Sequence, residues 1–299
     1  MQDPLNAMQI FMRVAESQSF TQAANDLALS KTHVSNRVAQ LERWAGARLL
    51  QRTTRSVSLT LDGQQFYLRC QQMLDEVQEL ESLFKTSEAA LTGKLRIDMP
   101  TGLAKNPVLP HLPAFLEAHP GLDVELSCTD RRVDMVSEGF DAVVRGGPVR
   151  DQGVIARHLL DIPQMNFASP AYIARFGKPE TLEDLAKHQV VHYTQMLDNS
   201  QGEFEYQWQG ERKTLPMASR VTVNSAEAYL QACLAGLGII QRPRLAHHDL
   251  PESQQLIPIL TDYVPPPMPL WLLYPHRRHL SKRLQVFSDW LSQLLSNAP

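Results

Sequence analysis

The chain has 299 residues, 43% hydrophobic and 20% charged, with a formal net charge of -3, which suits two or three compact units of an ordinary globular protein. Three cysteines, Cys70, Cys128 and Cys233, lie far apart with no paired spacing, excluding a disulfide framework or zinc cluster and fitting a reducing compartment where they serve as small buried residues. No run approaches the roughly 18 apolar residues of a membrane span and the N-terminus lacks the pattern of a secretory signal, so a cytoplasmic protein with no membrane contact is expected.

Leu5, Met8, Phe11 and Val14 step by three and predict a first helix. A second runs from about Thr21 to Leu27, capped by Thr21 or Ser19, with Ala23, Ala24 and Leu27 inward. Ser30 caps a third, SKTHVSNRVAQLE, whose apolar stripe is only Val34, Val38 and Leu41. Leu49 and Leu50 are expected beneath it, and RTTRSVSLT, with Val57 and Leu59 alternating, predicts a small two-stranded wing. Between positions 31 and 55 lie six basic residues and one acidic, a patch suited to a polyanion, although a basic patch is often only a solvated face.

From Thr60 the rhythm changes. Phe66, Cys70, Met73, Val77, Leu80 and Phe84 follow a 4-3-4-3-4 spacing, the heptad pattern of a helix that pairs with another helix. Dimerisation would bury that seam; packing onto its own chain is the alternative. Gly93 ends the helix, and strands then alternate with helices. These are LRIDM, a helix over about 102–118, DVELSC, a helix near 131–138, DAVVR, MNFAS, a helix after Pro170, QVVHY, SRVTV, a helix over about 225–235, GLGII, PLWLLYP and a closing helix from Leu280 to Leu295. Such alternation predicts mostly parallel sheets covered by helices, arranged as two small α/β lobes with crossings at Pro163 and TDYVPPPMP.

Two helices joined by a tight turn, the second opening with polar residues, make a helix-turn-helix, whose second helix enters the major groove of double-stranded DNA. With Val34, Val38 and Leu41 inward, Thr32, Ser35, Asn36 and Ala39 face outward, flanked by Lys31, His33, Arg37 and Gln40. Asn36 offers the donor and acceptor that match adenine, and Thr32 and Ala39 can meet a thymine methyl. Ser30, Ser35 and the helix start can hold phosphate oxygens, and Arg52, Thr53 and Arg55 at the wing tip can reach the backbone or minor groove.

The segment SFTQAANDLALSKTHVSNRVAQLERWAGARLLQRTTRSVSLTLDGQQF resembles the N-terminal domain of LysR-type transcriptional regulators. It carries SFTxAAxxL, xxVSxxVxxLE, GxRLLxR and LTxxG. GKLRIDMP, HPGLDVEL, GFDAVVR and NSAEAYLQACLAGLGI extend the resemblance over essentially the whole chain, and DAVVRGG suggests the CrgA-like subgroup. Many members have arginine after the serine of the recognition helix; here Asn36 stands there and Arg37 follows, so base preference does not carry over from relatives.

The resemblance implies an α/β protein. Residues 1–60 would form a winged helix-turn-helix, 61–91 a long linker and dimerisation helix, and 92–299 a two-lobed, periplasmic-binding-protein-like effector-binding domain. One lobe spans about 92–162 and 267–299 and the other about 163–266. It also implies a homodimer or homotetramer on a pseudo-palindromic promoter site, a small-molecule effector between the lobes, and RNA polymerase as a further partner. Clefts form outside the carboxyl ends of strands, which here bear Thr101, Thr129, Arg145, Tyr193, Thr194, Asn224 and Ser225. Hydroxyls, helix starts and one arginine favour an anionic effector, with two structural alternatives: Thr101 and Thr129 as helix caps, and Arg145 paired with Asp134 or Asp141.

An enzyme is disfavoured: HExxH, CxxC, GxSxG and GxxxxGK[ST] are all missing. His247, His248 and the PHRRH run are expected to be solvated surface, and LAGLGII to be a helix stop. No cofactor or metal is expected. A solute-binding transport component would share the two lobes but not the head, and a regulator or architectural protein acting without an effector would leave the sensor unexplained.

Overall fold

The computed structural model describes residues 3–52, 57–82, 91–149, 153–195, 197, 201–243, 256–275 and 280–296, without the side chains of 52, 72, 75, 76 and 78–82. Two compact units divide the chain, one made of the head, Met1–Ala90, with the short segment Val136–Gly139, and a second over Leu91–Met135 and Phe140–Pro299. No helix is long and apolar enough to cross a membrane, among the described residues.

The head begins with α1 (Pro4–Ser17), capped by the Asp3 carboxylate, which accepts from the Asn6 N–H. Its Phe11 and Val14 are fully buried. Ser19, not Thr21, caps α2 (Phe20–Asp26). Ser30 caps α3 (Lys31–Ala45), which ends at Gly46 with φ 72, a left-handed turn that suits glycine. β1 (Leu50–Arg52) and β2 (Val57–Leu59) pair antiparallel as the wing. Thr60 then starts α4 (Leu61–Ser82): its hydroxyl accepts from the Gly63 N–H at 2.9 Å and donates to the Arg48 carbonyl at 2.6 Å. Any Cβ at Gly63 would lie 1.9 Å from the Leu49 carbonyl oxygen, so LTLDG needs glycine because strand and helix backbones meet there.

In the second unit, the first lobe is built on a five-stranded sheet in the order β4-β3-β5-β14-β6. Its strands are β3 (Gly93–Met99), β4 (Leu122–Cys128), β5 (Ala142–Gly146), β6 (Val154–Ile162) and β14 (Met268–Pro275). α5 (Thr101–Leu103), a π-helical stretch over Ala104–Val108 and α6 (Leu109–Ala118) run on from one another after β3. Pro107 and Pro113 remove amides from that helix, and the wider turn absorbs part of the disruption. α9 (Lys282–Ser296) closes the core, where Phe287 meets Phe115 edge-on at 5.7 Å beneath Leu95, Ile97 and Leu272.

The second lobe carries a three-stranded sheet, β12-β7-β13, and a parallel pair, β11-β8, joined by a bridge between Val190 and Ile239. Its strands are β7 (Gln164–Ala168), β8 (Gln189–Tyr193), β11 (Ala218–Val223), β12 (Ile240–Pro243) and β13 (Ile257–Pro258). α7 (Pro170–Phe176) and α8 (Ala226–Leu234) pack there, with Phe167, Tyr172, Phe204 and Ile239 fully buried. α8 stops at Gly236, φ 77, and Gly238 lets the chain approach the β8 backbone, so LAGLGII is a helix stop.

Three expectations are corrected, and one element was not expected. The sheets are mixed, not mostly parallel: β3 is parallel to β4 and β5, but β14 runs antiparallel to β5 and β6, and β7 is antiparallel to β12 and β13. The chain re-enters the first lobe from the opposite end, so the right-handed helical crossover of a parallel sheet is not needed. No helix forms near 131–138. The Arg131 carbonyl, which such a helix would use, accepts from Arg145 instead, and Met135–Gly139 is a turn closed by the Phe140 N–H on the Met135 carbonyl. An unforeseen hairpin joins β9 (Glu203–Trp208) to β10 (Glu211–Pro216) through Gln209 and Gly210, φ 53 and 83, the two-residue turn that matches strand twist. Cys70 and Cys233 are buried as expected, but Cys128 is exposed at the end of β4.

Candidate functional site

The two faces of α3 are sharply different. Val34, Val38 and Leu41 are fully buried with residues of α1 and α2. Ser30, Lys31, Thr32, His33, Asn36 and Gln40 are exposed, and Ser35, Arg37 and Ala39 are partly so. The Ser30 hydroxyl accepts from the His33 N–H at 3.1 Å, and its own O–H remains able to donate to a phosphate oxygen. The helix end is fixed by Glu42, whose carboxylate accepts from the backbone N–H groups of Leu49 and Leu50 at 2.9 and 3.1 Å. Sequence reasoning counted Glu42 only as the one acid in a basic patch. Its isolation among cations was the available signal, because an acid kept there needs a dedicated partner. Arg52 closes β1 opposite Val57, with its side chain outside the described residues; Thr53 and Arg55 lie outside them altogether.

In the second unit the expected effector residues fall on both lobes, at or next to the ends of strands. Thr101 opens α5, and its hydroxyl donates to the Cys128 carbonyl at 3.2 Å. Thr129 follows β4 and donates through its hydroxyl to Asp98 at 3.0 Å. Neither hydroxyl caps a helix: Pro100 precedes α5 without a side-chain cap, and no helix follows Thr129. Arg145 is buried, and its carboxylate partner is Asp98, itself fully buried. The guanidinium also donates to the carbonyls of Arg131 and Val144 at 2.8 and 2.7 Å. Asp98 stands on the strand next to Arg145's own, whereas Asp141 accepts from the Arg96 N–H at 2.9 Å and lies 3.7 Å from Arg283. Asp98, the acid that stands between Ile97 and Met99 in β3, was the residue missed.

From the second lobe, Tyr193 ends β8 with its ring 5.5 Å from that of Tyr229, and the Thr194 N–H donates to the Val223 carbonyl at 3.0 Å. Asn224 is exposed, and Ser225 caps α8 by accepting from the Ala228 N–H. α5 and α8 lie against each other across the cleft. Asp130 reaches the same place, its carboxylate accepting from the Ala226 N–H at 2.8 Å. Burial pushes the Tyr193 phenol up to about 12; the negative charge of Asp130 adds to this and the positive charge of Arg145 opposes it. Tyr193 is therefore a neutral hydrogen-bonding group at ordinary pH. Burial likewise raises Tyr229, whose oxygen accepts from the Gln241 N–H at 3.0 Å.

Beside Arg145 lies a cavity of about 420 Å³, within the range of small-molecule sites. Its wall includes Arg132, Arg145 and Gln195 on the polar side and Val143, Val154 and Leu273 on the apolar side. Of the expected effector residues, Arg145 lines it and the other six do not. Among the described residues, no cluster of three His, Cys, Asp or Glu is placed to hold a metal ion.

Comparisons with known proteins agree with this architecture. Residues 5–64 match the bacterial regulatory helix-turn-helix protein, lysR family, and residues 88–296 match the LysR substrate binding domain. The chain is 44% identical over 293 residues to the HTH-type transcriptional regulator YhjC of Escherichia coli (strain K12), covering 98% of each chain. It is 33% identical to an HTH-type transcriptional repressor of Pseudomonas aeruginosa (strain UCBPP-PA14), covering 99% of this chain and 94% of that one. Among solved structures, CrgA, a LysR-type transcriptional regulator from Neisseria meningitidis, superimposes with a TM-score of 0.59 at 30% identity, covering 98% and 99% of the two chains. A helix-turn-helix head followed by a two-lobed substrate-binding domain, matched along both parts, makes this chain a member of the LysR family: a DNA-binding transcriptional regulator and not an enzyme.

Proposed function

We propose that this regulator reads DNA through α3 and answers to a small anionic effector held between the sensor lobes. The observation that carries the first half is the division of α3 into a fully buried apolar stripe and an exposed hydrogen-bonding face. Thr32, Ser35, Asn36 and Ala39 are the base-facing set, with Gln40 on its flank. Ser30, Lys31 and His33 at the helix start, Arg37 on its flank, and Arg52, Thr53 and Arg55 on the wing hold phosphates. Positioning through phosphate and reading through base edges are separate tasks, and only the second confers specificity.

Two heads in a homodimer would meet half-sites about one helical turn apart, hence a pseudo-palindrome, with two dimers forming a tetramer in turn. The effector half rests on Arg132 and Arg145 beside the apolar lining of the cavity, and on the helix start and hydroxyls of the cleft. An effector shifts the assembly only by binding one arrangement better than another. The site of action would be the cytoplasm, where DNA is.

Gel shift on genomic fragments at stated salt tests the DNA reading. Preference for a palindromic fragment that survives excess unrelated DNA is expected, and sequence-independent binding alone would reject the reading. A thermal-shift screen of small acids tests the effector reading. It predicts a stabiliser whose effect is lost in Arg145→Ala and Arg132→Ala, and a stabiliser indifferent to both places the effector elsewhere.

A further inference from the structure

The loop after β4 is tied on both sides of Asp130. The Thr129 hydroxyl donates to Asp98 at 3.0 Å, and the Thr129 N–H donates to the Met99 carbonyl at 3.0 Å. On the other side, the Arg131 carbonyl accepts from Arg145 at 2.8 Å, and Arg145 is itself paired with Asp98. The pair is buried, so the loop is anchored to something that solvent does not readily loosen. Between these two anchors the Asp130 carboxylate crosses to the other lobe and accepts from the Ala226 N–H at 2.8 Å. Ala226 is the first residue of α8, a nine-residue helix whose start favours negative charge. Ser225 serves the Ala228 N–H there, leaving the Ala226 N–H to Asp130. The chain's own carboxylate thus occupies the helix start that an anionic effector would use.

Arg145 belongs to two structures at once. It anchors the loop and forms part of the wall of the cavity of about 420 Å³. An acid entering that cavity meets Arg132 and Arg145 beside Val143, Val154 and Leu273, a surface that suits a carboxylate with an apolar body. To bind Arg145 it must compete with Asp98 and with the Arg131 carbonyl.

We propose that Asp130, held by the Asp98–Arg145 pair, is a strap between the two sensor lobes, and that a small apolar carboxylate releases it by drawing Arg145 into the cavity. The proposal rests on the anionic-effector reading only in its release step; the strap itself is a property of the free protein. It makes Asp98 and Arg145 positioning residues for Asp130, and it makes strap and ligand rivals. Weakening the strap therefore tightens the ligand, because the ligand no longer spends its differential affinity on opening it.

The experiment is hydrogen–deuterium exchange on the full chain, with benzoate and butyrate as probes. In Asp130→Ala, exchange at segment 224–229 is expected to rise several-fold. The decisive variants are Asp98→Asn and, in case that buried change prevents folding, Thr129→Val. Both lie in the other lobe, and both are expected to raise exchange at 224–229 as well as at 127–133. Unchanged exchange at 224–229 in both of these would overturn the strap, reducing Asp130 to a local helix cap. Benzoate should raise exchange at 224–229 in the unaltered protein and half-saturate Asp130→Ala at about one-tenth the concentration. Benzoate that binds without changing that exchange would overturn release. If neither probe binds while Asp98→Asn or Thr129→Val still loosens 224–229, the strap is supported and the anionic-effector reading is the part that fails.

Discussion

In the head, single residues carry the proposed base reading and fix how closely the backbones fit. Asn36 is exposed at the second turn of α3, on the face opposite Val34 and Val38. A bidentate contact from asparagine to adenine contributes about 1–3 kcal/mol of discrimination. Asn36→Ala should therefore flatten base preference at one position of each half-site, and Arg52→Ala should weaken all sequences alike and reduce the salt slope by about one unit. Quantitative gel shift against a set of single-base variants separates the two; equal weakening of every sequence by Asn36→Ala would remove it from base reading. Gly63 acts through geometry instead. Its missing Cβ leaves room for the Leu49 carbonyl oxygen, which a methyl would approach to 1.9 Å. Backbone cannot yield as a flexible side chain can, so Gly63→Ala should cost the head about 1–3 kcal/mol, read as a lower denaturation midpoint with loss of DNA binding.

Elements show where local pattern suffices and where it does not. α3 was legible because its apolar stripe and its serine cap lie within one segment, β8 and β14 because their apolar residues run in short dense stretches, and β11 because Val221 and Val223 alternate with polar residues. β6 was not: VIARHLLDI carries Arg157, His158 and Asp161 because it is the edge strand of its sheet, and charged edges do not show the pattern of a buried strand. The absent helix near 131–138 was lost to a competitor no local window contains, the Arg145 guanidinium on the Arg131 carbonyl. Asp98 and Asp130 escaped for the same reason, since their partners come from β5 and, in the case of Asp130, from the other lobe.

A similar long-range packing governs His188, the buried residue before β8, whose ring Nδ1 lies 3.1 Å from the Tyr172 hydroxyl. Burial holds its pKa below the ordinary value, with Asp184 opposing. The unfolded chain therefore takes up the proton first, and stability is lost as pH falls below about 6.5 and through the lower folded value. His188→Gln should reduce the fall in melting temperature across that window relative to the unaltered protein. An identical pH profile for both would show that His188 does not couple protonation to folding.

At the scale of the whole molecule, the open question is what covers α4. Phe66 and Cys70 pack into the head core, and burial pushes the Cys70 thiol up to about 12, so it behaves as a small apolar group. Further along the same seam the surroundings change: Met73 is 46% exposed and Val77 only partly buried. The helix begins as part of the head and continues as an apolar stripe beyond it, which a second α4 in heptad register would cover. Such pairing also brings two copies of α3 together, the condition for reading a palindrome. Met73→Glu with Val77→Glu should leave the head folded, since neither residue belongs to its core. It should shift sedimentation from dimer to monomer, and it should weaken binding to a full palindrome far more than to an isolated half-site, because linked heads gain effective concentration that separate heads lack. A double variant that still sediments as a dimer would assign dimerisation to another surface and leave α4 a connector between head and sensor.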